Sequence, residues 1–535
     1  MRSRRLSPTL AAVLSLTLAA ACGGEGGTSS PPTVAGAAAD NRPVKNGGTL
    51  AISLDADPDA LDPTTATTLN GRMVFMSICE KLYDIDANTK LVPQLATALP
   101  ELSADAKTAT IRLRTGVKFN DGTPFDAAAV KKSLDRHRTL EESARAAELS
   151  AVENVTVVDP STVRLTLSRP FAPLTAQLAD RSGMILSPAA LDKLGDNFGT
   201  APVCVGPFKF GSRTSGSQIV VDRAPDYYAA NKVKLDKIIY KIIVDPNVRA
   251  ANLKSGDIQV AARPVPTTIA GLQSDKNLRV VAGGGLGYFG MHINIGNVRG
   301  ATEEYGTVNT PLGKSPELRQ AFELSLDRAA INKAVFSGMH QPDCGPLPLD
   351  SPYRMNMPCS TRDVAKAKQL VAQSGVKTPI PLTLTVANDA TNIRLGEVIQ
   401  QMTKETGFAV KVRPIEFATL LEEADAGTYE ATTDGWSGRV DPDGNLNNQL
   451  TTGGANNYAG ISDPVIDDSI RQGAATLDVN QRRALYAKAI LRAAELRGYI
   501  YLYHQKEYLA MNRNIAGVQF FADGLPRLAT AGYAQ

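Results

Sequence analysis

The sequence has few of the residues on which most metalloproteins and redox proteins rely. Its 535 residues contain four histidines, five cysteines and one tryptophan, and no CxxC pair or HExxH motif occurs. Zinc sites and thiol redox sites therefore lack the spacing that characterises them. No internal stretch is long and apolar enough to cross a bilayer, so no internal transmembrane helix is expected.

The chain also has almost no excess of charge of one sign. Its 57 Lys and Arg residues face 54 Asp and Glu residues, which gives a formal net charge of +3. Arg2, Arg4 and Arg5 lie in the first 21 residues, and no acidic residue does. Without that segment the formal charge is zero, which argues against a nucleic-acid footprint or a polybasic membrane patch.

The N-terminus has the pattern of an export signal. Three arginines precede an apolar segment at residues 10–18, and three alanines precede Cys22. This end resembles a bacterial lipobox, so residues 1–21 are predicted to be cleaved and Cys22 to be lipidated, with plain secretion as the alternative. Residues 22–47 are rich in small and polar residues and predict a flexible tether.

Four cysteines remain once Cys22 carries lipid, and an exported protein folds in an oxidising compartment. Two disulfides are therefore predicted. Cys344 with Cys359 would close a short Pro-rich loop, which leaves Cys79 with Cys204. The other two connectivities remain open at this point.

The first half of the chain mixes strand and helix patterns. Strands are predicted at residues 49–54, 108–114, 152–158 and 162–167, and a helix at residues 72–83. A second helix is predicted over residues 126–137, with Thr123 as N-cap and Pro124 in its first position.

The second half predicts a parallel sheet. Strand, helix, strand, helix and strand patterns follow one another at residues 382–386, 394–406, 408–415, 417–425 and 429–433. This order is typical of parallel strands joined by helical crossovers. The sequence DGWSGRVDPDGN, residues 434–445, follows the carboxyl end of such a strand, where open α/β sheets bind ligands.

Three near-matches to catalytic or cofactor motifs fail. At residues 435–438, Gly-Trp-Ser-Gly places its second glycine one position too early for the nucleophile elbow of a secreted hydrolase. Residues 285–290 match GxGxxG, but a strand pattern follows where a dinucleotide site needs a helix. Asp441, Asp443 and Asn445 have the first spacings of a calcium loop, yet Thr452 replaces the closing Glu, so a metal there is a weaker alternative.

Several longer segments resemble one family. They are LVPQLA at residues 91–96, RLRTGVKFNDGTPFDAAAVKKSLDR at 112–136, CVGPFKF at 204–210 and SPELRQAFELSLDRAAINKAVFSG at 315–338, with YAGISDPVIDDSIRQG and QRRALYAKAILRAAE near the end. Together they resemble the family 5 solute-binding proteins of ABC importers, which include dipeptide-, oligopeptide- and nickel-binding receptors. The resemblance extends from about residue 48 to about residue 517.

The resemblance implies an α/β, two-lobed fold of the periplasmic-binding-protein type, of type II and similar to cluster C, with an extra small α+β domain. It assigns residues 48–78, 202–285 and 506–535 to lobe I, residues 79–201 to the extra domain and residues 286–505 to lobe II. The chain would cross between the lobes near residues 283–291 and 501–511.

The function implied is capture rather than catalysis. A monomeric lipoprotein on the extracytoplasmic face of the bacterial cell membrane would close on a peptide or peptide-like solute and deliver it to an ABC permease with its ATPase subunits. No cofactor, structural metal or nucleic acid is implied. A non-peptide solute, such as an anionic molecule, a glycan or a metal chelate, is one alternative, and a secreted hydrolase or a sensor or assembly lipoprotein are others.

The ligand site implied centres on Trp436, which is predicted to line a cleft rather than the core. In peptide-binding relatives an Asp shortly after the corresponding Trp holds the peptide's ammonium group, whereas Arg439 stands there in this chain. Arg439 is predicted either to bind a carboxylate or phosphate of the ligand or to pair with Asp441 or Asp443 in the loop. Asp441 is a candidate for the cation-binding role. The other positions implied are Ser437, Gly438, Tyr288, Phe289, Asn294, Asp57, Thr67, Thr68, Asn456, Asn457 and Tyr458.

Overall fold

The computed structural model describes residues 35–36 and 40–535. The predicted signal segment and Cys22 lie outside these residues. Two large sheets, each covered by helices, form two lobes. Within the described part of the chain, no helix combines the length and the apolar character needed to traverse a bilayer.

The first lobe is built on an eight-stranded mixed sheet. Thr49–Leu54 is parallel to Lys237–Ile242 on one side and to Val260–Ala262 on the other. The carboxyl ends of these three strands therefore lie at one edge, where residues 55 and 263 follow them. From edge to edge the strands are Ala35–Gly36, Leu278–Gly283, Glu507–Asn512, Val260–Ala262, Thr49–Leu54, Lys237–Ile242, Gln218–Arg223 and Phe208–Thr214.

The second lobe is built on a six-stranded sheet. Ile380–Ala387 is parallel to both Phe408–Ile415 and Ala431–Trp436, which confirms the predicted parallel arrangement. One face packs into an apolar core with the helices, and the other face carries tyrosines. From edge to edge the strands are Gln341–Pro342, Tyr499–His504, Tyr288–Ile293, Ala431–Trp436, Ile380–Ala387 and Phe408–Ile415.

A smaller antiparallel sheet lies in the stretch predicted to be an extra domain. Its strands, in spatial order, are Glu101–Leu102, Thr108–Arg112, Thr162–Leu167 and Val152–Asp159. Buried side chains from this stretch, such as Ile111 and Leu134, belong to the same continuous core as Ile52 and Ile238 of the first lobe. The small sheet is thus packed onto the first lobe, while its limits at residues 79 and 201 stay a prediction.

Helices and short pairings complete the architecture. The α-helices are Leu69–Ile78, Ala127–Thr139, Leu174–Gln177, Pro188–Leu194, Pro246–Ser255, Pro266–Gln273, Pro311–Lys314, Pro316–Leu324, Arg328–Phe336, Val364–Gln373, Ala390–Lys404, Phe417–Ala426, Asp443–Leu450, Pro464–Ala475 and Val479–Leu496. Short 3-10 helices occur at Arg181–Gly183, Gly195–Thr200 and Ala230–Lys232. Two-stranded pairs join Tyr83–Ile85 to Leu91–Pro93, Ile515–Ala516 to Gly532–Tyr533, and Gln519–Phe520 to Pro526–Arg527.

The chain passes between the two large sheets at residues 284–287 and 505–506, within the ranges that the sequence predicts. Two glycines of the GxGxxG pattern allow the first crossing segment to lie close to neighbouring backbone. A Cβ atom on Gly285 would lie 1.5 Å from the backbone oxygen of Gln505, and one on Gly287 would lie 2.2 Å from that of Trp436. Because the strand Tyr288–Ile293 follows, no dinucleotide-binding helix begins at this pattern.

The first predicted helix is shifted. The apolar periodicity predicts residues 72–83, but the helix spans Leu69–Ile78. Thr68 caps its start by accepting a hydrogen bond from the backbone N–H of Gly71. Cys79 ends it in an extended conformation, from which its sulfur reaches Cys204. The cap and the disulfide, rather than the apolar pattern, set the limits.

The predicted N-cap of the second helix is wrong. Asp126, not Thr123, accepts the hydrogen bond from the backbone N–H of Ala129 and caps Ala127–Thr139. The backbone oxygen of Thr123 instead accepts from the N–H of Phe119 across residues 120–122, which places Thr123 before the helix. By contrast, the strands predicted at residues 49–54, 162–167 and 408–415 are confirmed at both ends.

Both predicted disulfides are present. Cys79 is bonded to Cys204 across 125 positions, and Cys344 to Cys359 across 15 positions. The long-range bond ties the end of helix Leu69–Ile78 to the segment that enters the strand Phe208–Thr214.

The two disulfides should differ in their contribution to stability. A larger closed loop restricts the unfolded chain more, so the Cys79–Cys204 bond should contribute about 5 kcal/mol and the Cys344–Cys359 bond about 3 kcal/mol. Urea unfolding of the double variants Cys79→Ala/Cys204→Ala and Cys344→Ala/Cys359→Ala measures both losses with a matched substitution. An equal or reversed order would contradict this assignment.

Candidate functional site

The segment 434–445 is held by its own backbone and by the crossing between the lobes. The strand that precedes it continues to Trp436, so Asp434 and Trp436 belong to the strand, which the sequence placed at residues 429–433. Asn445 organises the turn, because its Nδ2 donates to the backbone oxygen of Arg439 and its Oδ1 accepts from the backbone N–H of Arg439. Gly438 has a φ of +77°, and a Cβ there would lie 2.1 Å from the backbone of Leu286.

Arg439 pairs with neither Asp441 nor Asp443, the two partners within its loop that the sequence suggests. Its Nε lies 3.0 Å from a carboxylate oxygen of Asp180, which belongs to the stretch packed onto the first lobe. Its guanidinium carbon lies 4.5 Å from the centre of the Trp436 ring, and Nη1 donates to Ser437 Oγ at 3.2 Å. Burial lowers the pKa of Arg439 to about 10. The guanidinium thus joins the two lobes in a largely dry environment.

Asp180 is shared between the lobes. Its carboxylate also lies 3.1 Å from Arg72 Nη2, and Arg72 Nη1 donates to Ser437 Oγ at 3.5 Å. Burial alone would raise the pKa of Asp180, but Arg72 and Arg439 hold it well below its usual range. The result is a continuous polar contact from helix Leu69–Ile78 to the end of the strand Ala431–Trp436.

Positive charge exceeds negative charge around Asp180. Arg145 and Arg181 are both buried beside it, at 4% and 2% exposure, and Arg145 pairs with Glu148 at 2.6 Å. Four guanidinium groups therefore face two carboxylates. The Nε atoms of Arg145 and Arg181 are buried without a hydrogen-bond partner. Buried charge is costly unless it is paired, so this arginine cluster, Arg72, Arg145, Arg181 and Arg439, is suited to accept an anionic group.

Sequence reasoning missed a second set of charged residues, at the carboxyl edge of the first sheet. Arg263 Nη1 lies 3.1 Å from Asp55 and Nε lies 3.7 Å from Glu507. Asp55 and Arg263 are partly buried, with 27% and 32% of their side-chain surfaces exposed. Both directly follow parallel strands, a position that could have identified them once the first sheet's strand order was known.

This edge is connected to the arginine cluster. Asn70, which is on the same helix as Arg72, donates from Nδ2 to Asp55 at 2.9 Å. Arg263 has a φ of +50°, a left-handed conformation that is uncommon for residues other than glycine. Polar side chains from the carboxyl edges of both large sheets thus contact one helix, since Asn70 donates to Asp55 and Arg72 to Ser437.

Asp441 has a structural partner. Arg482 donates to both of its carboxylate oxygens at 2.8 and 3.0 Å, and the same guanidinium lies over the rings of Tyr353 and Tyr486. Asp443 begins the helix Asp443–Leu450, and burial together with Asp441 raises its pKa to about 7. The oxygens of Asp441 are therefore occupied by a guanidinium, which leaves the calcium-like spacing and the cation-binding role of Asp441 without support.

The described residues contain one close group of metal-type side chains, Asp343 with Cys344 and Cys359. The two sulfurs are bonded to each other at 2.04 Å, so neither is a thiolate that could bind a metal. Asp343 instead contacts Arg354 and His504.

Trp436 is partly buried and packs against the tyrosine cluster formed by Tyr288, Tyr499 and Tyr501. Its Nε1 donates to the backbone oxygen of Gly444 at 3.0 Å and to Oδ1 of Asn445 at 3.1 Å. One edge of the ring thus orders the loop, while Arg439 covers a face.

The structure assigns several other predicted positions to local contacts. Phe289 projects toward the core of the second lobe and stacks on Tyr503. Asp57 pairs with Arg213, and Thr67 and Thr68 donate to Asp59. The amides of Asn294 and Asn457 bind backbone oxygens, and Asn456 donates to the hydroxyl of Tyr458. The structure thus brings Trp436, Ser437, Gly438, Arg439 and Tyr288 together and leaves Asp57, Thr67 and Thr68 in separate contacts of the first lobe.

Comparisons with known proteins agree with this architecture. The model of the bacterial extracellular solute-binding proteins, family 5, Middle region, matches residues 90–458, which is more than half of the chain. The glutathione-binding protein GsiB of Pectobacterium atrosepticum is 28% identical over 487 residues, covering 89% of this chain and 92% of the relative.

Solved structures give the same result. The binding protein AgaA of A. tumefaciens R10, in complex with agropinic acid, superposes with a TM-score of 0.79 at 28% identity, covering 91% of this chain and 99% of AgaA. DppA of Helicobacter pylori, in complex with the peptide STSA, superposes with a TM-score of 0.81 at 23% identity, covering 92% of this chain and 99% of DppA. The predicted two-lobed periplasmic-binding-protein fold is confirmed, and the chain belongs to family 5 of the bacterial extracellular solute-binding proteins.

Proposed function

We propose that the protein captures a carboxylate-bearing peptide or peptide-like solute between its two lobes and delivers it to an ABC permease. The observation that carries this proposal is the excess of buried guanidinium groups around Asp180, where side chains of both lobes meet. A solute carboxylate placed there would balance the arginine cluster and would be held by charge-assisted hydrogen bonds. The relatives named for glutathione and agropinic acid bind molecules that carry carboxylates.

Contact between the lobes supports a closing mechanism. Besides the Arg439–Asp180 pair, the backbone N–H of Ala172 donates to the backbone oxygen of Ala474 at 2.8 Å. A ligand that contacts both sides binds the closed form more tightly than the open form, and this difference in affinity drives closure. The crossing segments 284–287 and 505–506 are the places where the backbone would bend.

The assignment to transport follows from the family. A lipid on Cys22 would keep the protein at the extracytoplasmic face of the cell membrane, and a tether would let a monomer reach its permease. The predicted tether at residues 22–47 is too long, because Ala35–Gly36 pairs with Val281–Ala282 and Arg42 donates to the backbone oxygen of Ile515, so the proposed tether is confined to residues before Ala35. The closed form would present both lobes to that permease, and ATPase subunits on the cytoplasmic side would drive release.

A binding protein should return its ligand unchanged. We expect one or more carboxylate-bearing peptides to raise the melting temperature of the purified protein, because a ligand that binds the folded state alone stabilises it. The measurement is a thermal-shift panel of peptides, glutathione, opines, glycans and nickel, followed by mass spectrometry of the stabilising solute after incubation.

Each alternative has its own outcome in that panel. A converted solute would support the hydrolase interpretation, and stabilisation by neutral glycans alone would contradict the carboxylate requirement. If no solute binds, a sensor or assembly role would replace transport.

Arg439 should contact the ligand and not only hold the lobes together through its ion pair with Asp180. Arg439→Gln should weaken the stabilising carboxylate ligand by about 1 to 3 kcal/mol, as expected for loss of a charged hydrogen bond. Asp180→Asn should leave that affinity unchanged or tighten it, because Asp180 competes with the ligand for the same guanidinium. Isothermal titration calorimetry of the two variants and of the double variant measures these effects.

Arg471→Gln is a matched control, because Arg471 is 65% exposed and pairs with Asp468 on the helix Pro464–Ala475. A latch without ligand contact would give the opposite pattern, with equal losses in Arg439→Gln and Asp180→Asn and no further loss in the double variant.

A further inference from the structure

A carboxylate lies on the face of the second sheet that carries the tyrosines. Side chains alternate along a strand, so Asp434 and Trp436 project from the same face. Asp434 is paired with Gly290 in the neighbouring strand, and Trp436 with Tyr288. Because Gly290 has no side chain, the ring of Tyr499 covers it, at 2.5 Å from where a Cβ would lie. The carboxylate therefore stands beside the ring of Tyr499 rather than beside a side chain of its cross-strand partner.

Four buried tyrosines lie close enough to this carboxylate for its charge to affect them. The pKa values of Tyr288, Tyr429, Tyr458 and Tyr499 are all raised, mainly by burial, and the negative charge of Asp434 adds to each shift. Their hydroxyls are not directed to the carboxylate in the contacts that the structure defines. Tyr288 donates to the backbone oxygen of Asn445, and Tyr499 to the backbone oxygen of Asp434.

No cation in the described chain pairs with Asp434. Asp180, Asp441 and Asp55 each lie within 3.1 Å of an arginine, whereas no ion pair reaches Asp434 among residues 40–535. Burial raises the pKa of Asp434 to about 6, and only the backbone N–H of Gly435 opposes this effect. The carboxylate is therefore the one member of these four whose charge the protein leaves unbalanced.

Two further polar atoms nearby are also unused. The hydroxyl of Tyr429 and Nδ1 of His292 are buried without a hydrogen-bond partner. The ring of His292 packs against Tyr499 and Tyr458, at centroid distances of 4.4 and 5.3 Å. Asp434 itself is only partly buried, whereas these tyrosines are buried, so its carboxylate stays accessible beside the rings.

We propose that Asp434 is the cation-binding residue of the ligand site and that the solute carries a primary or secondary ammonium group. This inference rests on the proposed function, because it places the ammonium of the captured solute in the tyrosine-lined space. An ammonium N–H would donate to the carboxylate, and the tyrosine rings would add cation–π attraction.

Together with the arginine cluster, this residue selects for a zwitterion. The solute's carboxylate would contact the guanidinium of Arg439 on one side of Trp436, and its ammonium would contact Asp434 on the other. The reversed charge at Arg439 would then not remove ammonium recognition from the family site but move it to the strand before the tryptophan.

The test uses matched pairs of probes. The dipeptides Ala-Phe and Ser-Leu, their N-acetyl forms, the amine-free solutes citrate and maltose, and NiCl2 are each measured by thermal shift and calorimetry with the purified protein. Free dipeptides should bind, and N-acetylation should weaken them by about 10- to 100-fold, the loss expected for a charged hydrogen bond. Asp434→Asn should cause a similar loss for the free dipeptides and none for the N-acetyl forms.

Two controls accompany the variant. Asp468→Asn removes a carboxylate that is 53% exposed on the helix Pro464–Ala475 and should change no affinity. The melting temperature of unliganded Asp434→Asn should equal or exceed that of the wild type, because the substitution removes an unbalanced buried charge.

The remaining outcomes separate this inference from the proposed function. Equal binding of free and N-acetyl dipeptides, or binding of citrate alone, would overturn the ammonium assignment and leave solute capture intact. Stabilisation by NiCl2 that Asp434→Asn abolishes would also overturn it, in favour of a metal. Absence of binding by every probe would contradict both. The comparison of acetylated and free probes on the wild type decides the question even if Asp434→Asn fails to fold.

Discussion

The contact between the lobes depends on how one carboxylate is shared among several guanidinium groups. Asp180 lies 3.1 Å from Arg72 on the first lobe and 3.0 Å from Arg439 on the second. Burial of an unpaired charge costs several kcal/mol per ion. The ion pairs and the hydrogen bonds to Ser437 together offset that cost in this dry interface. With Arg145 and Arg181 added, the charges do not balance from protein groups alone. This excess of positive charge would weaken the contact between the lobes when no ligand is bound, and the negative charge of an anionic solute would balance it.

The acidic residues near the site differ in function because their partners differ. Asp441 is bound by both ends of the guanidinium of Arg482 and keeps the loop 434–445 against the helix Val479–Leu496. Asp55 is joined to Arg263 at the edge of the first sheet. Asp434 stands beside tyrosine rings and has no ion pair among residues 40–535. Sorting carboxylates by the cation that each already has separates residues that maintain the fold from those available to a ligand.

The sequence contains enough information to predict the architecture. Alternation with period two located the strand Phe408–Ile415 at both ends, and strand–helix order predicted parallel pairing in the second sheet. Cysteine spacing favoured the two disulfides that the structure contains. These features are local or follow from chain order, so a single sequence can show them.

The partners of the charged residues could not be predicted from the sequence. Arg439 was identified as unusual, but its partner Asp180 lies in a distant part of the chain, and no periodicity connects the two. Asp55 and Arg263 become visible only when the strand order of the first sheet is known, because their proximity arises from two parallel strands meeting at one edge. A crystal structure of the protein with the solute that stabilises it is the most direct test of ligand capture at the arginine cluster. We expect electron density between the lobes with a carboxylate at the guanidinium of Arg439, and density on the outer surface, or between the lobes but away from Arg439, would contradict this assignment.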